Sequence, residues 1–432
     1  FYNQAYYPGW DAGIGQDGFN ADISFSSRQG GLEPAFILNN GFPQNFTPPP
    51  FIDSGYRNGQ WMTYRPFDAN RLSYAQQWNL TIEHQFTNDL YITAGYVGNK
   101  GTRLLSQNAP LNALDPRLLS MGNQLYDEFQ PGDTMVDGVP LPYPGWVEQM
   151  TGCAPSVGQA LLPYPQYCTS LQGMNENAGN STYHSFQLKT EKRFSHGMWF
   201  LGSYTLSKLL TSSDNAQQGS VWPGSGVISP FERQRNKSLA LDDVPQVVSL
   251  ALLYELPFGK GHRFLNSGGV VGKTVGGWEL ASIVRVSSAT PFYFRSWQCN
   301  VPGAFAVGCI PAVLAGANPW AQDKGNFDPN QPLIREAAFE PTSSFNFYWG
   351  QGPRISNLRG FGYRNHDFSL IKNTEITERV GFQIRAEFFN LWNWHVFSGD
   401  AFDTNLGSPS FGSWNGGVSA PRQIQFGVRV TF

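Results

Sequence analysis

The chain is 432 residues long with a formal net charge of −3, and only 14% of its residues are charged. That length accommodates one large barrel or two ordinary domains, and so sparse and balanced a charge excludes nucleic-acid binding, which requires a basic stripe. Hydrophobic residues make up 41%, yet mean hydropathy is −0.33, and no window approaches the roughly 18 apolar residues of a membrane helix.

A soluble protein is the default reading of those numbers, and three features pull against it. Aromatic residues reach 15%, the 47 Gly and 30 Pro punctuate the chain too often for long helices, and charge is scarce where a soluble surface needs it. Membrane β-barrels share this profile, because half of each strand faces lipid, half faces water, and aromatic girdles mark both interfaces. The chain opens on Phe1-Tyr2-Asn3-Gln4, without an initiator Met, a basic n-region or an apolar h-region. The expectation is a mature or truncated segment with its export signal upstream.

Along the chain the informative signal has period two, the signature of a strand whose side chains point alternately to opposite faces. Trp78, Leu80, Ile82 and Phe86 share one face, and Asn79, Thr81, Glu83 and Gln85 the other. Phe186, Leu188 and Phe194 oppose Gln187, Lys189, Glu191 and Arg193, and Phe382, Ile384, Ala386 and Phe388 oppose Gln383, Arg385 and Glu387. Near the end, Ile424, Phe426, Val428, Val430 and Phe432 oppose Gln425, Arg429 and Thr431. Helical spacing would mix the two sets. The expected strands are 73–86, 90–99, 183–194, 198–208, 246–256, 278–294, 363–376, 380–393 and 422–432, with residues 1–7 as the tail of one more.

Short turns at Thr87-Asn88-Asp89, Ser195-His196-Gly197 and Thr377-Glu378-Arg379 alternate with long stretches at 106–181, 211–243, 296–360 and 394–420. Long structureless loops normally count against an assignment; outer-membrane barrels, with short periplasmic turns and long extracellular loops, are the exception. One connection, 258–276, is of intermediate length where a short turn is expected. The fold class is therefore all-β: an antiparallel transmembrane β-barrel, seen as its C-terminal strands. Bacterial barrels close with an even number of strands, and lipid does not tolerate an open edge, so further strands are expected upstream.

In such a barrel the inward-pointing charges Glu83, Lys189, Glu191, Arg193, Glu279, Arg285, Asp367, Arg385, Glu387 and Arg429 line the lumen or contact a plug. Both signs occur, so no strong ion selectivity follows. Cys153, Cys168, Cys299 and Cys309 form no C-x-x-C and have no His at zinc spacing. Each pair falls inside one long polar segment, and the simplest reading is two local disulfides, Cys153–Cys168 and Cys299–Cys309, made in an oxidising compartment. Closing such a loop contributes on the order of 3 kcal/mol. His84, His184, His196, His262, His366 and His395 are scattered and read as structural rather than metal-binding. Asp242-Asp243 reads as part of a solvated loop rather than a calcium site. Trp146, Tyr164, Tyr167, Trp222, Trp297, Trp320, Trp349 and Trp414 lie in the long loops. There they suit either sugar stacking and protein contact or packing of loop on loop. No G-x-S-x-G or H-E-x-x-H occurs, so neither catalysis nor a cofactor is expected.

An ordered set of stretches resembles the Oar-like TonB-dependent receptors common in Acidobacteria. It includes Gln76-Gln77-Trp78-Asn79-Leu80, Tyr96-Val97-Gly98-Asn99-Lys100-Gly101, Tyr183-His184-Ser185-Phe186-Gln187-Leu188, Tyr254-Glu255-Leu256-Pro257-Phe258-Gly259-Lys260-Gly261, Arg385-Ala386-Glu387-Phe388-Phe389-Asn390-Leu391 and Pro421-Arg422-Gln423-Ile424-Gln425-Phe426-Gly427. The similarity covers nearly the whole chain, so residues 1–432 read as the C-terminal part of one receptor-like barrel. It implies a 22-stranded barrel with a plugged lumen, seated in the outer membrane of a Gram-negative bacterium. The plug, the TonB-contacting box and an N-terminal regulatory-like domain would precede this segment. The implied partners are outer-membrane lipid, the barrel assembly machinery, TonB through that upstream region, and an unidentified ligand such as an oligosaccharide, peptide or metal chelate. Gln425, Gly427, Val430 and Phe432 are similar to the terminal-strand signal read by the assembly machinery, which captures a strand edge by β-augmentation. The alternatives are a secreted or surface-exposed β-rich binding or structural protein, and a passive porin.

Overall fold

A computed structural model describes residues 2–3, 24–44, 53–60, 63–64, 71–104, 111–168, 171–173, 179–213, 231–266, 268–296, 298–302, 309–377 and 379–432. Nine long strands dominate it: β1 Ser73–Gln85, β2 Leu90–Leu104, β3 Gly179–Ser195, β4 Met198–Thr211, β5 Gln246–Glu255, β6 Trp278–Ser287, β7 Arg364–Glu375, β8 Gly381–Phe389 and β9 Gln423–Thr431. Each pairs antiparallel with its neighbour in the chain. Tyr2–Asn3 adds a short stretch beside β1, and Ser238–Leu239 another beside β4, giving an eleven-stranded sheet. Among the described residues no pairing joins its two edges.

The turns follow their chemistry. β3 and β4 are joined by His196-Gly197, both at positive φ (50° and 76°), as the two-residue hairpin turn with the favoured twist requires. A Cβ on Gly197 would lie 3.1 Å from the Glu255 carbonyl oxygen. Between β1 and β2 the Thr87 hydroxyl accepts the Leu90 N–H and bonds Asp89.

Two expected strands run shorter than the alternation implied. The strand expected over 278–294 stops at Ser287; Phe292 and Phe294 leave the sheet and are buried in a cluster beyond it. The strand expected over 380–393 stops at Phe389, because Asn390 and Asn393 turn the chain at positive φ (52° and 54°). The Asn390 side chain secures that turn, donating to the Trp394 and Ala420 carbonyls while its own oxygen accepts the Trp394 N–H.

Burial inverts the pattern of a soluble protein. Among the described residues none of the buried hydrophobic residues lies in the nine long strands; most gather in two clusters built by the long connections. The first takes Leu114, Leu125, Phe129, Trp146, Val157 and Cys168 from the segment between β2 and β3. The second joins Phe292, Leu333, Phe339 and Phe345, between β6 and β7, to Phe402 and Phe411, between β8 and β9. The described parts of the connections between β2 and β3, β6 and β7, and β8 and β9 therefore fold rather than hang as structureless loops. The connection between β5 and β6 carries a short helix, Gly269–Val275.

Candidate functional site

Register decides what each sheet face carries. Across β1 to β4, Leu80, Tyr96, Phe186 and Leu206 stand side by side. Across β6 to β9 the same face carries Leu280, Leu370, Ala386 and Phe426. None of these side chains is buried; Leu280, Leu370 and Ala386 are half-buried, and the outer strands are most open, with Leu80 66% exposed and Phe426 75%. Trp78 lies over Gly98, its cross-strand partner, so closely that a Cβ there would sit 2.3 Å from the indole. Apart from Ser282 and His366, which bond each other within the belt, and small hydroxyl side chains such as Thr190, the polar residues on this face lie toward the strand ends. Gln76, Lys100, His184, Lys208, Gln246 and Arg364 sit toward the long connections, and Lys192 and Lys372 toward the short turns. This is an apolar belt bounded by long cationic and amide side chains, which can reach from hydrocarbon to water.

The opposite face carries all ten charged residues singled out from the alternation. Glu83, Thr93, Lys189, Ser203, Ser249, Arg285 and Asn365 form one continuous row over seven strands. Glu83 and Lys189 are two strands apart, about 10 Å by strand spacing. Other charges meet directly. Lys189 pairs with Glu191 at 3.0 Å, and Arg385 with Glu387 at 3.6 Å. Arg193 lies 4.5 Å over the Tyr91 ring and Arg285 5.9 Å over Tyr363. Glu279 accepts from Asn373 at 2.6 Å, and Asp367 accepts the Asn390 N–H at 2.9 Å. Arg429 stands opposite Gln383, Gly427 opposite Arg385 and Gln425 opposite Glu387. Val430 lies on the apolar face opposite Phe382. The polar face is a mixed-sign surface, with exposed pairs that each contribute no more than about 1 kcal/mol.

The folded connections crown one end of this sheet. Cys153 is bonded to Cys168 and Cys299 to Cys309, with Cα–Cα distances of 5.7 and 5.5 Å. Trp146 is fully buried, donates to the Pro165 carbonyl at 2.9 Å and meets Phe129 edge-on. Trp349 packs against both clusters, and Trp414 against the second. Lys324 sits 3.8 Å over the Trp320 ring and donates to the Arg359 carbonyl; burial pushes its ammonium pKa down. Asp115 caps the turn that begins at Pro116, and the Arg117 guanidinium bonded to it holds its carboxyl at about 2. Of the loop aromatics, Trp146, Trp349 and Trp414 serve loop packing, Tyr164 is exposed, and Trp222 and Trp297 lie outside the described residues.

Sequence reasoning missed the clamp that fixes this crown to the strands. Asp243 is buried, not solvated: it accepts the Leu209 N–H and pairs with Arg359 at 2.5 Å. Arg354, also buried, donates to the Thr211 and Ser213 carbonyls, and Arg235 to those of Gly350 and Gly352. Only the long-range fold brings Arg354 and Arg359 to these partners. Among the histidines, His184 bonds the Tyr96 hydroxyl, and His366 bonds Ser282 and accepts from Trp392. Among the described residues no group of His, Cys, Asp and Glu could hold a metal ion.

Residues 1–425 match the family described as the outer membrane beta barrel domain, and the chain belongs to that family. Its place is the outer membrane of a Gram-negative bacterium. No curated protein matches the sequence. Among solved structures, the outer membrane transporter YddB from Escherichia coli is 9% identical, with a TM-score of 0.37 over 87% of this chain and 34% of that one. The ferric-catecholate import receptor Fiu from E. coli K12 is 10% identical, with a TM-score of 0.36 over 88% of this chain and 30% of that one. The copper transporter OprC is 11% identical, with a TM-score of 0.32 over 85% of this chain and 33% of that one. The chain spans about a third of the length of these structures.

Proposed function

We propose that the chain is the C-terminal part of the translocation barrel of a TonB-dependent receptor of the Oar-like type, importing a bulky nutrient such as an oligosaccharide, peptide or metal chelate. The observation that carries this reading is the two-faced sheet: ten charged residues on one face, an uncovered apolar belt on the other. In a closed barrel the charged face becomes the lumen wall and the belt meets lipid. The disulfide-closed crown then forms the mouth, which selects what reaches the lumen. Residues 1–432 act as one barrel unit, coupled to TonB through another part of the receptor, and their role is transport rather than catalysis. Mixed-sign pairs such as Lys189–Glu191 suit a wall that passes polar cargo without holding one charge type.

Orientation tests the reading. The short turns at Thr87, Ser195 and Thr377 are assigned to the periplasm and the crown to the outside. Single cysteines at Gly132 and Asn88 of the full-length receptor should differ on intact cells: the Gly132 site takes a membrane-impermeant reagent and the Asn88 site does not. The reverse pattern would overturn the topology. Conductance of the purified receptor in planar bilayers separates importer from porin, since an open channel in the unenergised protein is porin behaviour.

A further inference from the structure

We propose that the connection between β5 and β6 is an interfacial anchor, seated on anionic phospholipid headgroups of the leaflet at the short-turn end of the sheet. The proposal rests on the membrane reading of the apolar belt and adds a binding surface to it.

This connection is the one that exceeds the short-turn rule, and its extra length carries the helix Gly269–Val275. The helix is tied to the apolar side of the sheet. The Trp278 indole donates to the Thr274 carbonyl at 3.2 Å, and the Lys372 ammonium donates to the carbonyls of Lys273 and Gly276. Trp278 and Lys372 are cross-strand partners on the belt face, in register with Ile384. The helix therefore lies where the belt meets the short-turn end. Its outer side is apolar and uncovered: Val270 is 83% exposed, Val271 60%, and Phe264 and Leu265 beside it are also exposed.

Charge selects the partner. Residues 257–277 contain Lys260, Arg263 and Lys273, with His262 between the first two, and no Asp or Glu. The carboxylates at the short-turn ends of β5, β6 and β7, Glu255, Glu279 and Glu375, lie on the opposite, polar face by register. A segment with apolar side chains directed outward, a basic complement and a neighbouring Trp matches the headgroup–acyl boundary of an anionic bilayer. Exposed Val and Phe gain by leaving water, and the basic side chains meet lipid phosphates. A soluble protein partner would require no such seat at the edge of the belt.

The test uses the full-length receptor in vesicles. The four cysteines of residues 1–432 are disulfide-bonded, so, with any cysteine outside these residues replaced by serine, a thiol introduced by Val270→Cys can be labelled alone with an environment-sensitive fluorophore. Ile384→Cys, on the belt, is the reference. Vesicles are phosphatidylcholine alone or mixed with phosphatidylglycerol, and contain lipid bearing a nitroxide in the headgroup region or a deep acyl-chain quencher. The expected result is lipid quenching at residue 384, which stands opposite Lys372 on the belt, to the same extent in both lipids. At residue 270, headgroup quenching should be strong with phosphatidylglycerol and weak without it. Adding Lys260→Gln and Arg263→Gln should lower quenching at residue 270, since each basic side chain near an anionic surface changes partitioning roughly fivefold. An unquenched probe at residue 270 beside a quenched probe at residue 384 would overturn the anchor and leave the membrane reading intact. Equal quenching at residue 270 in both lipids would remove the anionic partner, and the proposal with it. A probe at residue 384 that no lipid quenches would instead remove the membrane reading on which the anchor depends.

Discussion

The sheet and the crown are made from one chain by opposite rules. In the strands, Leu80, Phe186, Val428 and Phe426 share one face and stay exposed, while Lys189, Glu191, Arg385 and Glu387 share the other. In the crown, Trp146, Phe129, Leu333 and Phe339 are buried, as in any water-soluble domain. The difference shows which solvent each region is built for. Apolar side chains are directed toward hydrocarbon in the strands, and away from water in the connections.

The two regions also differ in what holds them. The sheet is held by ladders of backbone hydrogen bonds between neighbouring strands, nine of them long, the pairing that backbone polar groups need where water is missing. The crown has little regular structure, and its stability rests on aromatic packing, two disulfides and the clamp at Asp243, Arg354 and Arg359. Damage to one region should therefore spare the other.

The largest expected effect comes from emptying the crown. Trp146→Ala removes a fully buried indole, together with its hydrogen bond to Pro165, and such substitutions cost about 3–5 kcal/mol. The loss should be local. Limited proteolysis of the variant should cut within 111–168 at protease levels that leave the native protein intact, while the heat-dependent shift in gel mobility of the barrel persists. Loss of both together would show that crown and sheet fold as one unit.

A smaller effect should come from the strands, and it should depend on the face. Leu250 and Ser249 are adjacent in β5, one on each face. A lipid-facing arginine near the bilayer midplane costs about 2–4 kcal/mol, and one nearer the interface less, whereas a change on the water-filled side mainly tunes selectivity. Leu250→Arg should therefore lower the urea midpoint of unfolding in vesicles, and Ser249→Arg should leave it nearly unchanged. Equal losses would mean that both faces are covered, and that the belt is not a lipid surface.

The contrast between regions also explains what could be read from the sequence. A strand writes its two environments as a period of two, so the strands near 73–86 and 422–432 were legible to within a residue or two, as was the polar set containing Glu83 and Arg285. The crown writes no period. Phe292, Phe339 and Phe411 meet from segments widely separated in sequence, and nothing local distinguishes them from a strand end, which is why the strand expected over 278–294 ran too long. Asp243 looked solvated for the same reason, since its partner Arg359 lies 116 residues away. The short helix Gly269–Val275 was hidden by its glycines: Gly268 precedes it, Gly269 and Gly272 lie within it, and Gly276 and Gly277 follow, so no helical period marks it in a connection where a short turn was expected.

The smallest expected change in stability, paired with a large change in yield, concerns the outer edge of the sheet. β9 has no neighbour on that side among the described residues, and an open strand edge can be captured by an added strand. Phe432 is 98% exposed, so it contributes little packing to this chain. We propose that, with Gln425, Gly427 and Val430, it serves recognition by the assembly machinery. Phe432→Ser in the full-length protein should then reduce heat-modifiable barrel in the outer-membrane fraction and increase periplasmic degradation products. Whatever barrel does insert should unfold near the native urea midpoint, because the lost side chain was scarcely buried. Ile384→Val trims one methylene from a half-exposed belt residue, worth no more than about 0.8 kcal/mol, and should insert normally. If Phe432→Ser inserts as well as Ile384→Val, the terminal aromatic is an ordinary strand residue and recognition must lie elsewhere along β9. If its yield falls and the urea midpoint of the inserted barrel falls too, the residue acts through the folded sheet instead, and its exposure in the isolated chain is covered by a strand or lipid contact in the assembled barrel.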